Sequence, residues 1–194
     1  METRAPVIEP VLDASASALA APALLPLSTQ SPASVERLLD RAFGADRHAR
    51  TAYRIRGAAA PVEALCFAAM DGDALIGSIQ CWPVALAGDD GRDWPLVMVG
   101  PVAVEPGRQQ HGIGRRLVAR ALAAAAETGA ADALMLIGDP EYYGRFFNFS
   151  AAATAEWRVP GPVERRRLLA RGAGVPAVAG LLGPRAPSPT GTSA

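Results

Sequence analysis

The segment from Gly100 to Leu117 constrains this chain more than any other. Its apolar beginning, Leu96 to Val104, has the length and character of a strand, and a short polar loop follows. The loop ends in Gly112-Ile113-Gly114, where a helical pattern begins and runs to about Glu127 with Ile113, Leu117, Ala121, Leu122 and Ala125 on one face. A helix N-terminus leaves its first N–H groups without intrahelical partners and carries partial positive charge, so it is a seat for phosphate. Glycine at 112 and 114 keeps side chains away from that backbone. The spacing therefore proposes a pyrophosphate cradle built from Gln109, Gln110, His111, Gly112, Ile113 and Gly114, with Arg108 or Arg115 adding charge.

Two common nucleotide motifs are excluded. No Lys-Ser/Thr pair follows the glycines, and the G-x-G-x-x-G pattern with an acidic residue about 20 positions on is absent. What stands here, Gln109-x-x-Gly112-x-Gly114 after a strand interrupted by Gly100-Pro101, resembles the acetyl-CoA loop of the GNAT N-acetyltransferases. Two further segments are similar to that family in the same order along the chain. Upstream, Asp71-Gly72-Asp73-Ala74-Leu75-Ile76-Gly77-Ser78-Ile79 looks like its first hairpin. Downstream, Gly138-Asp139-Pro140-Glu141-Tyr142-Tyr143-Gly144-Arg145-Phe146 looks like its short tyrosine-bearing helix in one bacterial branch. One departure is that Asn148 stands where the family has Gly, with an extra Phe before it; Asn tolerates positive φ better than most residues.

The resemblance implies an α/β fold with a mixed central sheet, flanking helices and a splay of two strands at the CoA site. It implies an acetyl-CoA-dependent acyltransferase that passes the acetyl group directly to an amine. In that frame the break at Gly100-Pro101 frees backbone groups of Val102, Ala103 and Val104 for the pantetheine arm and the thioester oxygen. Tyr143 is the candidate proton donor to the departing thiolate, and Tyr142 is its competitor. A phenol, with a reference pKa of ~10 against ~8.5 for a thiol, carries its proton at neutral pH. The base stays open among Glu105, Asp93, His48 and a water chain. An alternative reading keeps the fold and acyl-CoA binding without turnover, as a sensor or interaction module.

Composition narrows the partners. The 19 basic residues are all Arg and balance 19 acidic ones, giving zero formal charge, and the longest basic run is Arg165-Arg166-Arg167. Nucleic acid is not an expected partner of such a surface, and the three arginines read as a solvated helix face. The 41 alanines inflate the apolar half of the composition and, with the missing lysines, read as the mark of a GC-rich bacterial genome. Cys66 and Cys81 lie in apolar surroundings without metal-ligand spacing and read as buried thiols; no metal is expected. No apolar run reaches the ~18 residues a membrane helix needs, and Ala14 to Leu27 is too interrupted by Ser15, Ser17, Pro22 and Pro26 for a secretory signal, so a cytoplasmic protein is expected. The acceptor and the oligomeric state, a homodimer being one option, are left open.

The expected organisation is an Ala/Pro/Ser-rich flexible leader over 1–32, a domain over 33–182 and a disordered tail over 183–194. Ser34 reads as the cap of a first helix closed by Gly44, and Asp46 to Arg56 as a second helix ended by Gly57. With the loop from Leu86 to Asp93, these helices are expected to wall the acceptor cleft. Val62 to Met70 and Ala74 to Val84 read as a hairpin around Asp71-Gly72-Asp73. The strand Ala133 to Ile137 follows Gly129 as the parallel return of a right-handed crossover. Ala151 to Val159 reads as its antiparallel neighbour, and Val163 to Ala170 as a short outer helix.

Overall fold

A strand of 15 residues, Ala74–Gly88, organises the sheet because it is long enough to take different partners at its two ends. The computed structural model describes residues 21–185. In chain order its elements are β1 (Ala23–Pro26), α1 (Pro32–Phe43), α2 (Thr51–Arg56), β2 (Phe67–Asp71), β3 (Ala74–Gly88), β4 (Asp93–Val104), α3 (Ile113–Glu127), β5 (Leu134–Ile137), α4 (Pro140–Phe147), β6 (Trp157–Arg158), β7 (Leu168–Arg171) and β8 (Gly180–Pro184). One edge of β3 is covered by β4 from Gly77 to Ala87; the other takes β2 near its start and β8 from Val84 onward. The sheet runs β1-β2-β3-β4-β5-β7, antiparallel except for the β4–β5 pair, with β6 added to β8 in parallel.

Side-chain alternation in β2 explains the layering. Phe67 and Ala69 face the core that holds Ile113, Leu117, Val118 and Ala121 of α3. Ala68 and Met70 face the other way, onto Val35, Leu38 and Leu39 of α1. Successive strand residues point to opposite faces, so a strand buried on both sides reads as a continuous apolar run. Helices α1 and α3 therefore cover opposite faces of the sheet. A separate core of Ile55, Trp82, Leu86, Leu96, Trp157 and Leu182 closes the other end under α2. Burying each Leu or Ile side chain contributes about 1.5–3 kcal/mol.

Several boundaries differ from the sequence reading, each for a local reason. Helix α1 starts at Pro32, whose ring presets a helical φ, and Ser31 rather than Ser34 is the cap: its Oγ accepts from the Ser34 N–H at 3.2 Å. The single helix expected over 46–56 is instead a 3-10 turn, Ala45–Ala49, and then α2. Arg50 at φ −69°, ψ 148° separates them. The run from Val62 opens with a 3-10 turn, Glu63–Leu65, before β2 begins at Phe67. The loop expected from Leu86 to Asp93 shrinks to residues 89–92, because Leu86 is fully buried between Trp94 and Leu182 in the ladder.

The largest correction concerns the C-terminal third. Residues 163–170 are not a helix: a 3-10 turn, Arg165–Arg167, leads into β7, and β7 is the antiparallel neighbour of β5. The segment expected in that place, 151–159, contributes only the two-residue β6, paired parallel to β8. Leu168, Leu169 and Ala170 are all buried, so their sequence shows no strand alternation to read. The arginine run is exposed as expected but forms a 3-10 turn rather than a helix face, with Arg165 donating to the Trp157 carbonyl and Arg166 paired with Glu141 and Glu164. Within the expected leader, β1 pairs with β2 and Ser31 caps α1, while β8 carries the sheet through Pro184. Residues 1–20 and 186–194 lie outside the described residues.

Candidate functional site

Strands β4 and β5 are paired only at Val97 with Leu134 and Met98 with Met135. Beyond that point β5 ends at Ile137 while β4 continues to Val104, so among the described residues its edge on that side has no strand beside it. On the opposite edge the register slips: Val102 faces Ile79 and Val99 faces Cys81, so Gly100 and Pro101 bulge against Gln80 alone. The parting of β4 from β5 beyond Met98 is the splay that the resemblance implied at Gly100-Pro101. Two cavities open at it, of about 800 and 940 Å³, and Phe43, Val102 and Tyr143 line both.

The first cavity lies against the start of α3. Among the expected cradle residues, Gln109, Gln110, His111, Gly112, Gly114 and Arg115 line it, together with Val102 and Val104. Ala103 and Ile113 do not; both side chains are buried in the cores. Gly112 adopts φ 69°, ψ 10°, a left-handed conformation that closes the 3-10 turn Pro106–His111 and opens α3 in one residue. No atom lies within 4 Å of where its Cβ would stand, so the space before the helix is open. The first intrahelical bond runs from the Arg116 N–H to the Gly112 carbonyl at 3.1 Å. No side chain caps this end and no acidic residue sits in its first turn. Two arginines, 115 and 116, stand there instead, where the helix dipole disfavours cations. The arrangement suits an external anion.

The two arginine candidates separate clearly. Arg108 is paired with Asp71 at 2.9 Å. Arg115 lines the cavity, its guanidinium 5.5 Å from the centre of the Phe146 ring. Phe146 itself is 42% exposed on the cavity wall.

Helix α4 carries the tyrosines. Asp139 caps it by accepting from the Glu141 N–H at 2.9 Å, Pro140 supplies the first position, and Asn148 ends it at φ 56°, ψ 33°. The substitution of Asn for Gly is thus accommodated as a left-handed cap. Tyr143 lines both cavities, whereas Tyr142 lines only the first. The Tyr143 ring lies over Gly138, where a Cβ would stand 2.4 Å from Cε2; only glycine admits the ring in this position. Burial pushes the Tyr143 phenol up to about 12, with Tyr142 adding to the rise and Arg167 opposing it. Burial also raises the Tyr142 phenol, against the pull of Arg115.

None of the three side chains considered as a base lines either cavity. Glu105 receives a two-pronged contact from Arg41, Asp93 begins β4, and the His48 ring meets Tyr53 edge-on at 4.8 Å. The carboxylates that do line the second cavity are Asp139 and Glu164. Asp139 is held below the usual carboxylate range by its contacts with Glu141, and Glu164 accepts from Arg166 at 3.3 Å. Neither thiol lines a cavity: Cys66 is buried, its Sγ accepts from the Cys81 N–H at 3.3 Å, and burial pushes its thiol to about 11.

Sequence reasoning expected the first two helices in the acceptor wall but singled out none of the side chains that make it. Phe43, at the end of α1, joins both cavities, and Arg47 is 99% buried in the wall of the second, bonded to Glu36, Asp40 and the Tyr53 hydroxyl. The signal available was an i, i+4, i+11 pattern of Glu36, Asp40 and Arg47, which crosses a helix end and resembles an ordinary surface.

Comparison with known proteins agrees with this geometry. No curated protein matches the chain in sequence. Among solved structures it is similar to the GNAT family N-acetyltransferase YhbS from Escherichia coli in complex with CoA. That likeness has 24% identity and a TM-score of 0.65, and it covers 93% of this chain and 94% of that one. It is also similar to a GNAT family acetyltransferase from Brucella melitensis in complex with acetyl-CoA, at 24% identity, a TM-score of 0.50 and coverage of 78% and 96%. At these identities the likeness shows the fold. The family model described as an acetyltransferase (GNAT) domain matches residues 27–149, a span that runs from α1 through the splay and the α3 cradle to the end of α4. This chain belongs to the GNAT acetyltransferase family.

Proposed function

We propose that the protein binds acetyl-CoA at the start of α3 and transfers its acetyl group directly to an amine held in the second cavity. The observation that carries this reading is the uncapped α3 N-terminus with two arginines in its first turn, facing an open cavity beside the splayed β4 edge. The free N–H groups there fit a pyrophosphate, and Arg115 is free to reach it while Arg108 is not. Bound acetyl-CoA supplies a thioester whose carbonyl carbon the amine attacks as the C–S bond breaks. The backbone of β4 around Val102 to Val104 is positioned to orient the acyl arm. One backbone N–H aimed at the carbonyl oxygen is worth about 3–4 kcal/mol of barrier.

Tyr143 is the residue we assign to the departing sulfur, because it alone of the two tyrosines stands where the cavities meet. Its phenol, at about 12, is protonated throughout the physiological range. A free thiolate near ~8.5 would be a weak acceptor for such an acid. The phenol therefore acts through a hydrogen bond donated to the sulfur as the C–S bond breaks, and the released thiolate takes up the proton that the amine gives to water. The amine loses its proton to water in this scheme, since Asp139, held below the usual carboxylate range, is a weak base and Glu164 is paired with Arg166. We place the reaction in a reducing compartment, the cytoplasm, which suits two buried free thiols.

That same engagement of Asp139 and Glu164 favours a second reading, an acyl-CoA-binding module without turnover. Thiol release from acetyl-CoA across a panel of amines separates the two, with the acylated product identified by mass. Release with at least one amine supports transfer. Tight acyl-CoA binding with no release across the panel supports the module.

A further inference from the structure

The wall of the second cavity carries more positive charge than its carboxylates balance. Four arginines line it, Arg47, Arg50, Arg56 and Arg167, against Asp139 and Glu164. Arg47 is spoken for by Glu36 and Asp40, which pair with it from α1. Both lining carboxylates have partners, Asp139 in capping α4 and Glu164 in its contact with Arg166. Among the described residues Arg50, Arg56 and Arg167 take part in no ion pair. They come from three separate places in the chain: the residue between the 3-10 turn and α2, the last turn of α2, and the end of the turn before β7.

Arg56 is the most constrained of the three. Its guanidinium lies 3.8 Å from the centre of the Tyr53 ring and 3.9 Å from that of Trp82, sandwiched between the two. Its Nη1 is buried with no hydrogen-bond acceptor. A guanidinium stays charged under these conditions and offers a rigid planar fork, and a buried charged donor left without an acceptor is costly. Stacking fixes the fork before any ligand arrives, which lowers the ordering cost of binding. Arg50 is steadied by its bond to the Phe43 carbonyl at 2.7 Å, and Arg167 by the Gly138 N–H that donates to its own carbonyl at 2.9 Å. Gly138 is the residue on which the Tyr143 ring rests, so the cationic wall and the phenol share one support.

We propose that the acceptor is a small amine that also carries a carboxylate or phosphate group, the anion held by Arg56 with Arg50 and Arg167 and the amine directed to Tyr143. This rests on the acetyltransferase reading for the amine, but the anion site stands on its own geometry. A cavity of about 940 Å³ is within the range that encloses a small molecule.

The test uses three straight-chain amines of equal length ending in a carboxylate, a phosphonate or a carboxamide. Calorimetry on the full chain, with and without CoA, reads binding; thiol release from acetyl-CoA reads reaction. At least one of the two anionic amines binds about tenfold or more tightly than the amide, the difference a charge-assisted pair supplies; which one names the anion. In Arg56→Gln that gap closes to about threefold or less while CoA affinity stays at the wild-type value, which also reports that the variant is folded. Arg167→Gln, outside the aromatic sandwich, narrows the gap in the same direction. Equal binding of acid and amide, no binding of any of the three, or a gap that survives both substitutions overturns the anion site. Anionic amines that bind selectively without thiol release support the anion site and overturn the transferase reading. Thiol release at equal rates from acid and amide does the opposite.

Discussion

The two cavities that meet at Tyr143 are made of different material. The first is a backbone site: a left-handed glycine, a run of free N–H groups at the start of α3 and an uncovered strand edge. The second is a side-chain site, with guanidiniums brought together from α2, the turn before it and the turn before β7. A backbone site needs particular residues at fixed spacing, because only glycine enters the left-handed turn without strain and leaves the approach open. A side-chain site needs only that distant arginines arrive at one place. The first therefore leaves a signature in the sequence and the second does not. On the function proposed, the same contrast separates the acyl donor, assigned to the backbone site, from the acceptor, assigned to the side-chain site.

The junction residue tests that division most severely. Tyr143→Phe keeps the ring against Gly138 and removes the proton, so kcat is expected to fall by about 10²–10⁴-fold with acyl-CoA affinity unchanged. Tyr142→Phe, touching only the first cavity, is expected to leave kcat within about threefold. If the two variants exchange these outcomes, the division is drawn one residue out of place. The phenol also has a signature in stability. Its folded-state value of about 12 lies above the ordinary 10, so folding favours the protonated form. The stability it contributes is fully present below pH 10 and is lost as pH rises toward 12. Denaturant melts over that window are expected to show a steeper loss for the wild type than for Tyr143→Phe.

The backbone site has its own breaking point at Gly112. A side chain there must adopt φ near 69°, which costs roughly 1–2 kcal/mol, and it also enters the space assigned to the pyrophosphate. Gly112→Trp is expected to weaken acyl-CoA binding by about a hundredfold, and Gly112→Ala by less than about tenfold. Calorimetry on both variants, with circular dichroism as the folding control, separates strain from obstruction. Affinity at the wild-type level in folded Gly112→Trp would remove the anion from the start of α3.

How far the sequence speaks follows the same line. The path from β2 through α4 was readable because hairpin turn, glycine loop and helix each impose local chemistry: Asp71-Gly72-Asp73, Gly112-Ile113-Gly114 and Asp139-Pro140 sit where the chain turns. The splay at Gly100-Pro101 was read from the family resemblance, since the residues alone also fit a plain sheet bulge. The C-terminal third was not readable. Leu168, Leu169 and Ala170 are buried on both faces of β7, so a strand there shows the same apolar run a buried helix would show. The burial of Trp157 was readable from its own bulk, but the parallel pairing of its strand with β8 is a long-range match that no local pattern encodes. Within the site, Arg56 reads in sequence as one more charge at a helix end. Only the approach of Trp82, from the middle of β3, turns it into a fixed fork.

The smallest effect is the one that separates two neighbouring arginines. Arg108 and Arg115 flank the cradle and are equivalent in the sequence, but in the fold Arg108 is committed to Asp71 at 2.9 Å and Arg115 stands on the cavity wall beside Phe146. A guanidinium reaching a phosphate from an exposed position gives a modest, salt-sensitive gain, because exposed charges are screened over roughly 10 Å at 0.1 M salt. Arg115→Gln is expected to weaken acyl-CoA binding by about three- to tenfold at low ionic strength, a loss that shrinks as salt is added. Arg108→Gln is expected to change it by less than about twofold at any salt, since the charge removed is already matched by its carboxylate. Titrations of both variants at two ionic strengths read the difference. Equal losses would mean that the phosphates sit over the 3-10 turn Pro106–His111 rather than over the first turn of α3, and the backbone site would move one turn upstream.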